Sequence, residues 1–342
     1  KSRKMPGLSG GQSGTKGEGE CMLVYIIKRI LYVIPVMLGV LVIVFILKTV
    51  MPGDPVDMIL PAEATQEERE EKREELGLND LIPIQFFDYV KGIVTELDFG
   101  TSYKTNQPVF GELIQRFPIT FILAVGAVFV GSLLAIPLGV LSAVKQYTWI
   151  DSLVLVISML AVSIPSFWFA LMLLSLFSVK LGWFPTIYDG SLASWVLPII
   201  VIALAAMSGL TRMTRSSMLE VIRSDYIRTA RAKGQTEEKI IVRHALRNAL
   251  IPILAAIGNS LGAQLGGALV IETVFGMPGI GKYITDAISQ RNFPAVQGGV
   301  ILLAFVFTLI NLIVDISYTF VDPRLRESIV KKKKKKTAKV SL

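Results

Sequence analysis

Long uncharged, hydrophobic stretches alternate with charged segments along this chain. At about 1.5 Å of rise per residue, a helix of each stretch crosses most or all of the roughly 30 Å hydrocarbon core of a bilayer. The stretches are continuously apolar and do not alternate with period two, which favours helices over barrel strands. The pattern therefore predicts an all-α membrane protein whose six spans are Ile30–Leu47, Phe117–Val144, Ser152–Val179, Ser191–Thr211, Asn248–Ile271 and Asn292–Val314.

The same pattern divides the chain into five segments. Residues 1–21, rich in Gly, Ser and Lys, are expected to be disordered or foreign to the natural protein. Residues 22–48 form the first transmembrane helix, and residues 49–116 form an extracytoplasmic insert with a charged helix at Glu67–Glu75. Residues 117–322 form a five-helix core that includes a cytoplasmic loop at 212–250, and residues 323–342 form a basic cytoplasmic tail.

Composition supports burial in a bilayer, because 52% of the residues are hydrophobic, 18% are charged and the mean hydropathy is +0.57. The single Cys21 and the single His244 exclude a disulfide framework and a cysteine-rich or histidine-rich metal site. No Asp, Glu, Lys, Arg or His lies inside the six predicted spans, which disfavours a secondary transporter with a proton relay. No metal site and no catalytic residue is predicted.

Lys and Arg residues set the predicted orientation, because cytoplasmic connections carry an excess of both. The segment Arg212–Arg247 is rich in Arg and Lys, and Arg324, Arg326 and Lys331–Lys336 follow the last span. The insert on the opposite side holds more acidic than basic residues. Both termini are therefore expected in the cytoplasm. The lysine run is expected to contact anionic lipid.

The basic loop has the signals of two helices joined by a turn. Ser224 or Asp225 is placed to cap a first helix, Gly234 to end it, and Thr236 to begin a second. An alternative is that the loop only enforces topology and touches lipid headgroups. A few cations are enough to enforce topology, so that alternative does not account for two capped helices.

Several motifs of the chain resemble those of the membrane permeases of binding-protein-dependent ABC importers, in the dipeptide, oligopeptide and nickel branch. The likeness lies in Tyr226–Gly234 and Arg243–Pro252, which resemble the loop that docks into the ATPase subunit. It extends to Pro52–Pro55, Asp98–Tyr103, Glu272–Gly281, Asp315 and Asp322–Arg324. The chain departs from the general Glu-Ala-Ala pattern, because Arg228, Thr229 and Ala230 stand there and the Glu is missing.

The resemblance implies the type I permease fold of ABC importers and a set of partners. These are a second, homologous permease in a heterodimer, two ATPase subunits that hold ATP and Mg²⁺, an extracytoplasmic peptide-binding protein and the lipid bilayer of the cell membrane. By the same resemblance this chain binds no cofactor and no nucleic acid and is not an enzyme. The residues it assigns to ATPase coupling are Asp225, Tyr226, Arg228, Thr229, Ala230, Arg231, Ala232, Lys233, Gly234, Arg243, His244 and Arg247.

Two predicted spans hold candidates for a translocation path. In the fifth, the stripe Gly258, Gly262 and Gly266 predicts close helix packing, while Asn259 and Gln264 either line the path or hydrogen-bond to another helix. In the third, Ser163, Pro165 and Ser166 mark a kink because Pro165 has no backbone N–H to donate. A structural kink is favoured there over substrate contact.

Two short motifs resemble nucleotide-binding signatures. Leu8–Gln12 reads Leu-Ser-Gly-Gly-Gln, but it lies in the predicted disordered tail. Gly276–Lys282 has the spacing of a phosphate-binding loop, yet Tyr283 replaces the Ser or Thr that would hold Mg²⁺, and a helix rather than a strand precedes it. Nucleotide binding by this chain is therefore not expected.

These observations predict a permease subunit of an ATP-driven importer of di- or oligopeptides that forms half of the translocation path. A permease for nickel or sugars, an ATP-independent secondary transporter or channel, and a membrane-embedded scaffold are the alternatives. Uptake that requires ATP would separate the importer from the secondary transporter, and solute flux would separate it from the scaffold.

Overall fold

Apolar helices account for most of the protein in the computed structural model, which describes residues 13–50, 54–61 and 63–321. Five helices are long and apolar enough to cross a membrane, and a bent helix pair raises the number of spans to six if the pair is one span. The membrane-spanning candidates lie in α1 (Ser13–Val50), α5 (Val109–Val144), α6 with α7 (Trp149–Ser163 and Ser166–Leu173), α8 (Ala193–Ile222), α11 (Arg247–Val274) and α13 (Phe293–Val321).

Shorter helices lie in the connections. Within the described residues, the β structure is one isolated antiparallel bridge between Thr101 and Pro108. The α3 helix begins with a capping box, in which Thr65 and Glu68 satisfy each other's backbone N–H groups. The shorter helices are α2 (Pro55–Ile59), α3 (Gln66–Glu75), α4 (Ile82–Glu96), α9 (Asp225–Ala232), α10 (Glu237–Lys239) and α12 (Ile280–Ser289), with π-helical segments at Leu174–Lys180 and Ile240–Leu246.

Several helices extend well beyond the predicted spans. Helix α8 continues through the start of the predicted loop 212–250 to Ile222, and α5 begins at Val109 inside the predicted insert. Hydropathy locates the bilayer boundary and not the end of the helix, since charged residues continue a helix outside the hydrocarbon core. The prediction of disorder also fails for residues 13–21, which continue α1 as helix. Residues 1–12 and 322–342, including Lys331–Lys336, lie outside the described residues.

The third predicted span is broken rather than gently kinked. Its two halves, Trp149–Ser163 and Ser166–Lys180, are bent by 96° relative to each other. Ile164 between them is extended (φ −79°, ψ 124°), the conformation that a following proline favours. Pro165 thus ends α6 at Ser163, and α7 runs in a different direction.

Small residues let α5 and α8 approach closely. A Cβ added at Gly131 would lie 2.9 Å from the carbonyl oxygen of Ala203, and one added at Gly139 would overlap Thr214. Buried Leu197, Val201 and Leu123 fill the adjoining interface. The two helices therefore form the packed centre of the protein, as expected where helices meet through small residues in a bilayer.

The first and last spans run antiparallel. Arg29, near the middle of α1 and at the start of its apolar span, forms an ion pair with Asp315 late in α13. Near the end of α1, the carbonyl of Val44 accepts a hydrogen bond of 3.3 Å from Gln297 early in α13. The N-terminal part of α1 and the C-terminal part of α13 therefore lie at the same end of the protein.

Candidate functional site

Helix α9, which holds most of the residues predicted to couple to an ATPase, is anchored by one buried side chain. It begins after Ser224, whose backbone is extended (φ −72°, ψ 152°) and whose hydroxyl donates back to the Val221 carbonyl at 2.6 Å instead of capping the helix. Ile227 is fully buried and packs in a cluster with Met218, Ile240 and Ala249. Because these partners belong to α8, the π-helical segment and α11, α9 is held against the end of α8 and the start of α11.

A tight turn at Gly234 ends this helix. Gly234 has φ +76°, a value at which side chains are strained, and its N–H donates to the Arg231 carbonyl at 2.9 Å. A Cβ added there would meet nothing within 4 Å, so the backbone conformation alone requires glycine. The sequence-based prediction that Gly234 ends a helix is confirmed.

Two side-chain contacts close the turn, and neither was predicted from the sequence. Arg231 donates from Nε to Glu237 at 2.6 Å, and His244 Nε2 lies 2.8 Å from Oε1 of Gln235. These contacts join α9, α10 and the π-helical segment into one folded unit. The spacing of opposite charges six residues apart is not a helical pair, so only the turn brings Arg231 to Glu237.

The outer surface of this unit is polar and mostly basic. Asp225 and Arg228 face solvent with side chains 98% and 75% exposed, and their 3.7 Å ion pair contributes little stability. Tyr226 is the large exposed apolar residue of α9. The other predicted coupling residues lie on α9 (Thr229, Ala230, Arg231, Ala232), in the turn (Lys233, Gly234), in the π-helical segment (Arg243, His244) and at the start of α11 (Arg247).

The segment after the turn is continuous with a membrane span. From Glu237 to Val274 the chain forms one helical stretch of 38 residues, with the π-helical segment Ile240–Leu246 inside it. Ala245 and Ala249 on this stretch are fully buried against the cluster that also holds Ile227. Ile227 of α9 and the start of α11 therefore belong to one buried cluster.

An ion pair that the sequence did not indicate connects two spans beside this unit. Asp151 near the start of α6 is buried and binds Arg215 of α8. The Ser142 hydroxyl and the Tyr147 backbone N–H also donate to Asp151, at 2.5 Å and 3.0 Å. Asp151 directly precedes a predicted span and Arg215 was counted among the loop cations, so the pairing was visible only in the fold.

A second buried carboxylate organises the other end of the protein. Glu272, directly after the fifth predicted span, is fully buried and accepts hydrogen bonds from the Thr120 hydroxyl at 2.6 Å and the Lys282 N–H at 3.0 Å. The Ile280 N–H in turn donates to Thr120 Oγ1 at 2.9 Å. Glu272 and Thr120 therefore bind the backbone at the start of α12.

The candidates for the translocation path lie on other elements than the predicted coupling unit, which consists of α9, α10 and the π-helical segment Ile240–Leu246. Ser163, Pro165, Ser166 and Asn259 are exposed, and Gln264 is half-buried. Ser163 donates to the Met159 carbonyl of its own helix at 2.9 Å.

The three glycines of α11 differ in their surroundings. A Cβ at Gly258 would overlap Val314 of α13, and one at Gly262 would lie 2.9 Å from the ring of Phe307. At Gly266 a Cβ would meet no atom of this chain within 4 Å, so its predicted role in helix packing stays a prediction. Gly258 and Gly262 of α11 therefore lie against α13, whereas Gly266 does not.

One of the two motifs that resemble nucleotide-binding signatures lies between two helices in the described part of the chain. Gly276–Lys282 joins α11 to α12 and follows a helix, so it lacks the strand that a phosphate-binding loop requires. Leu8–Gln12 lies outside the described residues. Residues 13–50, 54–61 and 63–321 contain no group of three or more His, Cys, Asp or Glu side chains placed to hold a metal ion.

Comparison with known families accounts for nearly the whole chain. Residues 135–327 match the family described as "Binding-protein-dependent transport system inner membrane component", and residues 22–124 match the N-terminal family of the same transport systems. The chain is also similar to a chain of the MetNI methionine ABC transporter in inward-facing conformations, with a TM-score of 0.51 and 22% identity. That likeness covers 62% of this chain and 97% of the other, and shows the fold alone.

Individual relatives cover almost their full length. The dipeptide transport system permease protein DppB of Alkalihalophilus pseudofirmus is 39% identical over 333 residues, which is 89% of this chain and 100% of the relative. The oligopeptide transport system permease protein AppB of Bacillus subtilis is also 39% identical, over 316 residues, and the glutathione transport system permease protein GsiC of Salmonella typhimurium is 37% identical over 305 residues. Each of these two alignments covers 89% of this chain and 99% of the relative.

Proposed function

The chain belongs to the family of binding-protein-dependent transport system inner membrane components, and on this basis we propose that it is the permease subunit of an ATP-driven importer of short peptides. It is a multi-pass protein of the cell membrane. The substrate class is carried over from relatives named for dipeptide, oligopeptide and glutathione transport.

One observation carries the proposed mechanism: the exposed helix α9 is joined through the Gly234 turn to a helical stretch that runs unbroken from Glu237 to Val274. In this mechanism α9 docks into an ATPase subunit, and ATP binding moves α9 as a lever. Because α11 continues the lever, the path switches between inward-open and outward-open states. The ATPase biases these states only if it binds them with different free energies.

The proposed assembly contains this chain and a second, homologous permease, which together enclose the path. Two ATPase subunits bind beneath them and carry ATP and Mg²⁺, and an extracytoplasmic binding protein delivers the peptide. Exposed large apolar side chains on α1, α5, α6 and α13 fit contact with lipid or with a second permease, and include Leu31, Phe129, Val156 and Phe307.

The proposed topology has six spans with both termini in the cytoplasm. The Arg29–Asp315 ion pair supports it, because it brings the early part of α1 and the late part of α13 to one end of the protein. These two parts can lie on the same side of the membrane only if the number of spans is even. This requires the bent pair α6 and α7 to count as one span. The basic segment around α9 then lies on the cytoplasmic side.

Replacement of Gly234 tests the coupling role in the complete transporter, reconstituted with its ATPases and binding protein. Gly234→Val strains the turn, so we expect ATP hydrolysis to continue while peptide uptake falls about tenfold or more, as for a loss of more than 1.4 kcal/mol of coupling. Gly190→Val is a matched control, because Gly190 also has a positive φ (+83°) and open space around it, but lies outside the coupling unit. Normal uptake by the Gly234→Val transporter would refute the lever mechanism.

A further inference from the structure

The short turn between α5 and α6 carries two large aromatic side chains that the rest of the protein leaves uncovered. Tyr147 and Trp149 are 86% and 74% exposed, and neither side chain makes a hydrogen bond within the described residues. The apolar helix α5 ends at Val144, directly before this turn, so the turn lies where a membrane span meets water. Tyr and Trp are enriched at that level of a bilayer, because each side chain has an apolar body and a polar tip.

The protein holds this turn in place even though its conformation is unfavourable for a large side chain. Tyr147 has φ +63°, in the left-handed region that residues other than glycine adopt infrequently. Its backbone N–H donates to Asp151 at 3.0 Å, and Asp151 is itself buried and bound by Arg215. The N–H and the hydroxyl of Thr148 both donate to the Lys145 carbonyl, at 3.1 Å and 2.6 Å. The two aromatic side chains are therefore displayed on a turn that is hydrogen-bonded to the buried part of the protein.

Two cations accompany the aromatic side chains. Lys145 begins the turn, and Arg223, directly after α8, donates from Nη2 to Oε1 of Gln146 at 3.3 Å. Both cations are exposed, and neither forms an ion pair with the described residues. Asp151 is the nearest acidic residue along the turn, but its carboxylate is already bound by Arg215. The surface of the turn therefore keeps a positive charge.

Exposed apolar side chains continue this surface along the spans. Val144 at the end of α5 and Leu153 near the start of α6 are both exposed. Cations and aromatic donors thus lie at the end of the spans, with apolar side chains beside them, which is the order of groups in a phospholipid from phosphate to acyl chain. Positive charge favours an anionic headgroup, whereas the choline ammonium of a zwitterionic headgroup would be repelled.

We propose that residues 145–149 and Arg223 form a binding site for an anionic phospholipid in the leaflet beside the coupling unit. The two cations bind the phosphate, because hydrogen bonds between charged groups are the stronger ones. Tyr147 and Trp149 donate to the ester region, and the acyl chains lie along the exposed apolar side chains of α5 and α6. Since Arg223 immediately precedes Ser224 and α9, the bound lipid lies next to the start of the coupling unit. The site depends on neither the importer activity nor its substrate.

Quenching of tryptophan fluorescence by brominated lipid tests this site. The full chain is placed in phosphatidylcholine nanodiscs, and a rising fraction of the lipid is replaced by phosphatidylglycerol with brominated acyl chains or by phosphatidylcholine brominated in the same way. The difference between the original protein and Trp149→Phe isolates the fluorescence of Trp149. We expect a lower fraction of brominated phosphatidylglycerol than of brominated phosphatidylcholine to quench Trp149, by about fivefold for each of the two cations.

Variants of the two cations locate the preference. Lys145→Gln and Arg223→Gln should each reduce the preference for phosphatidylglycerol about fivefold. Lys180→Gln is the matched control, because Lys180 is also exposed at the end of the bent helix pair but is separated from the turn by α6 and α7. Trp168 is the control fluorophore: it is exposed on α7, and neither α6 nor α7 contains Lys or Arg, so both lipids should quench it equally.

Three results would overturn the proposal. Equal quenching of Trp149 by the two lipids would show no preference, and an unchanged preference in Lys145→Gln would place it elsewhere. Lys145→Gln decides alone if Arg223→Gln fails to fold, since Lys145 is exposed and forms no ion pair with the described residues. The same measurement on the complete transporter should retain the preference. Loss of Trp149 quenching there would show that an ATPase subunit, and not lipid, covers the turn.

Discussion

Arg215 of α8 binds both carboxylate oxygens of Asp151, with Nε–Oδ1 and Nη2–Oδ2 distances of 2.8 Å. The pair joins the start of α6 to the part of α8 that precedes the coupling helix. Ser142 of α5 donates to the same carboxylate, so three spans meet at one charged group. This two-pronged geometry is specific to arginine, because lysine presents a single ammonium.

Loss of this pair should destabilise the protein. Arg215→Gln leaves the buried Asp151 without its charged partner, and we expect the free energy of unfolding to fall by about 2 kcal/mol. Thermal unfolding in detergent measures the change. Arg212→Gln is the control, since Arg212 is exposed on the same helix and forms no ion pair with the described residues. Equal melting temperatures for the two variants would show that the pair contributes nothing.

Thr120 should hold the start of α12 in place. Thr120→Val removes a donor to Glu272 and the acceptor of the Ile280 N–H, so we expect a loss of about 1–3 kcal/mol and faster amide exchange in residues 277–289. Hydrogen exchange with mass spectrometry reports this directly. Thr95→Val serves as the control, because the exposed Thr95 hydroxyl donates to the Lys91 carbonyl of its own helix α4. Unchanged exchange after Thr120→Val would contradict the role assigned to Thr120.

The glycines of α11 offer an internal comparison. Gly258→Ala forces a methyl group against Val314, so we expect a loss of about 1–3 kcal/mol, whereas Gly266→Ala has open space and should be neutral or slightly stabilising. Thermal unfolding of the isolated chain compares the two. A larger loss at Gly266 than at Gly258 would mean that α11 packs against α13 differently.

Acid should open the start of α3. Hydrogen bonds from the Thr65 backbone and side chain lower the pKa of Glu68 below its usual 4.5. The stabilisation from the capping box is therefore complete above pH 4.5 and is lost as the pH falls through the lower pKa of the folded state. We expect Glu68→Ala to speed amide exchange in residues 65–75 at pH 7. At a pH low enough to protonate the Glu68 carboxylate in the folded protein, the substitution should have no such effect. Glu67→Ala should have a smaller effect at either pH.

Cysteine labelling tests the proposed topology. After Cys21→Ser removes the single native cysteine, Glu71→Cys on α3 should react with a membrane-impermeant maleimide in intact cells. Lys233→Cys, exposed beside the Gly234 turn, should react only after the membrane is permeabilised. Labelling of both positions from outside would refute the proposed six-span arrangement.

Local signals in the sequence were sufficient for much of the fold. The uncharged runs located the spans, and Gly234 and Pro165 marked real helix ends, because backbone φ limits and a missing N–H act within a few residues. Helix ends were less accurate, since α8 continues through charged residues to Ile222. The 96° bend at Pro165 was also larger than a kink, because the direction of the second half depends on its packing.

The candidate site was only partly predictable. Helix α9 and its turn at Gly234 followed from residue spacing. The Arg231–Glu237 pair and the Asp151–Arg215 pair did not, since each needs a turn or a helix contact to bring its members together. The proposed lipid site likewise joins residues 145–149 to Arg223 from a separate segment.

The sequence by itself determined that this is a helical membrane protein with a basic segment between two of its spans, because bilayer burial requires long apolar runs and charged residues are kept outside them. Tertiary structure alone decided which charges are paired, which glycines are packed and which cations from separate segments lie together. Those features depend on side chains from distant segments lying within a few ångströms of one another, and no pattern along the chain specifies such distances.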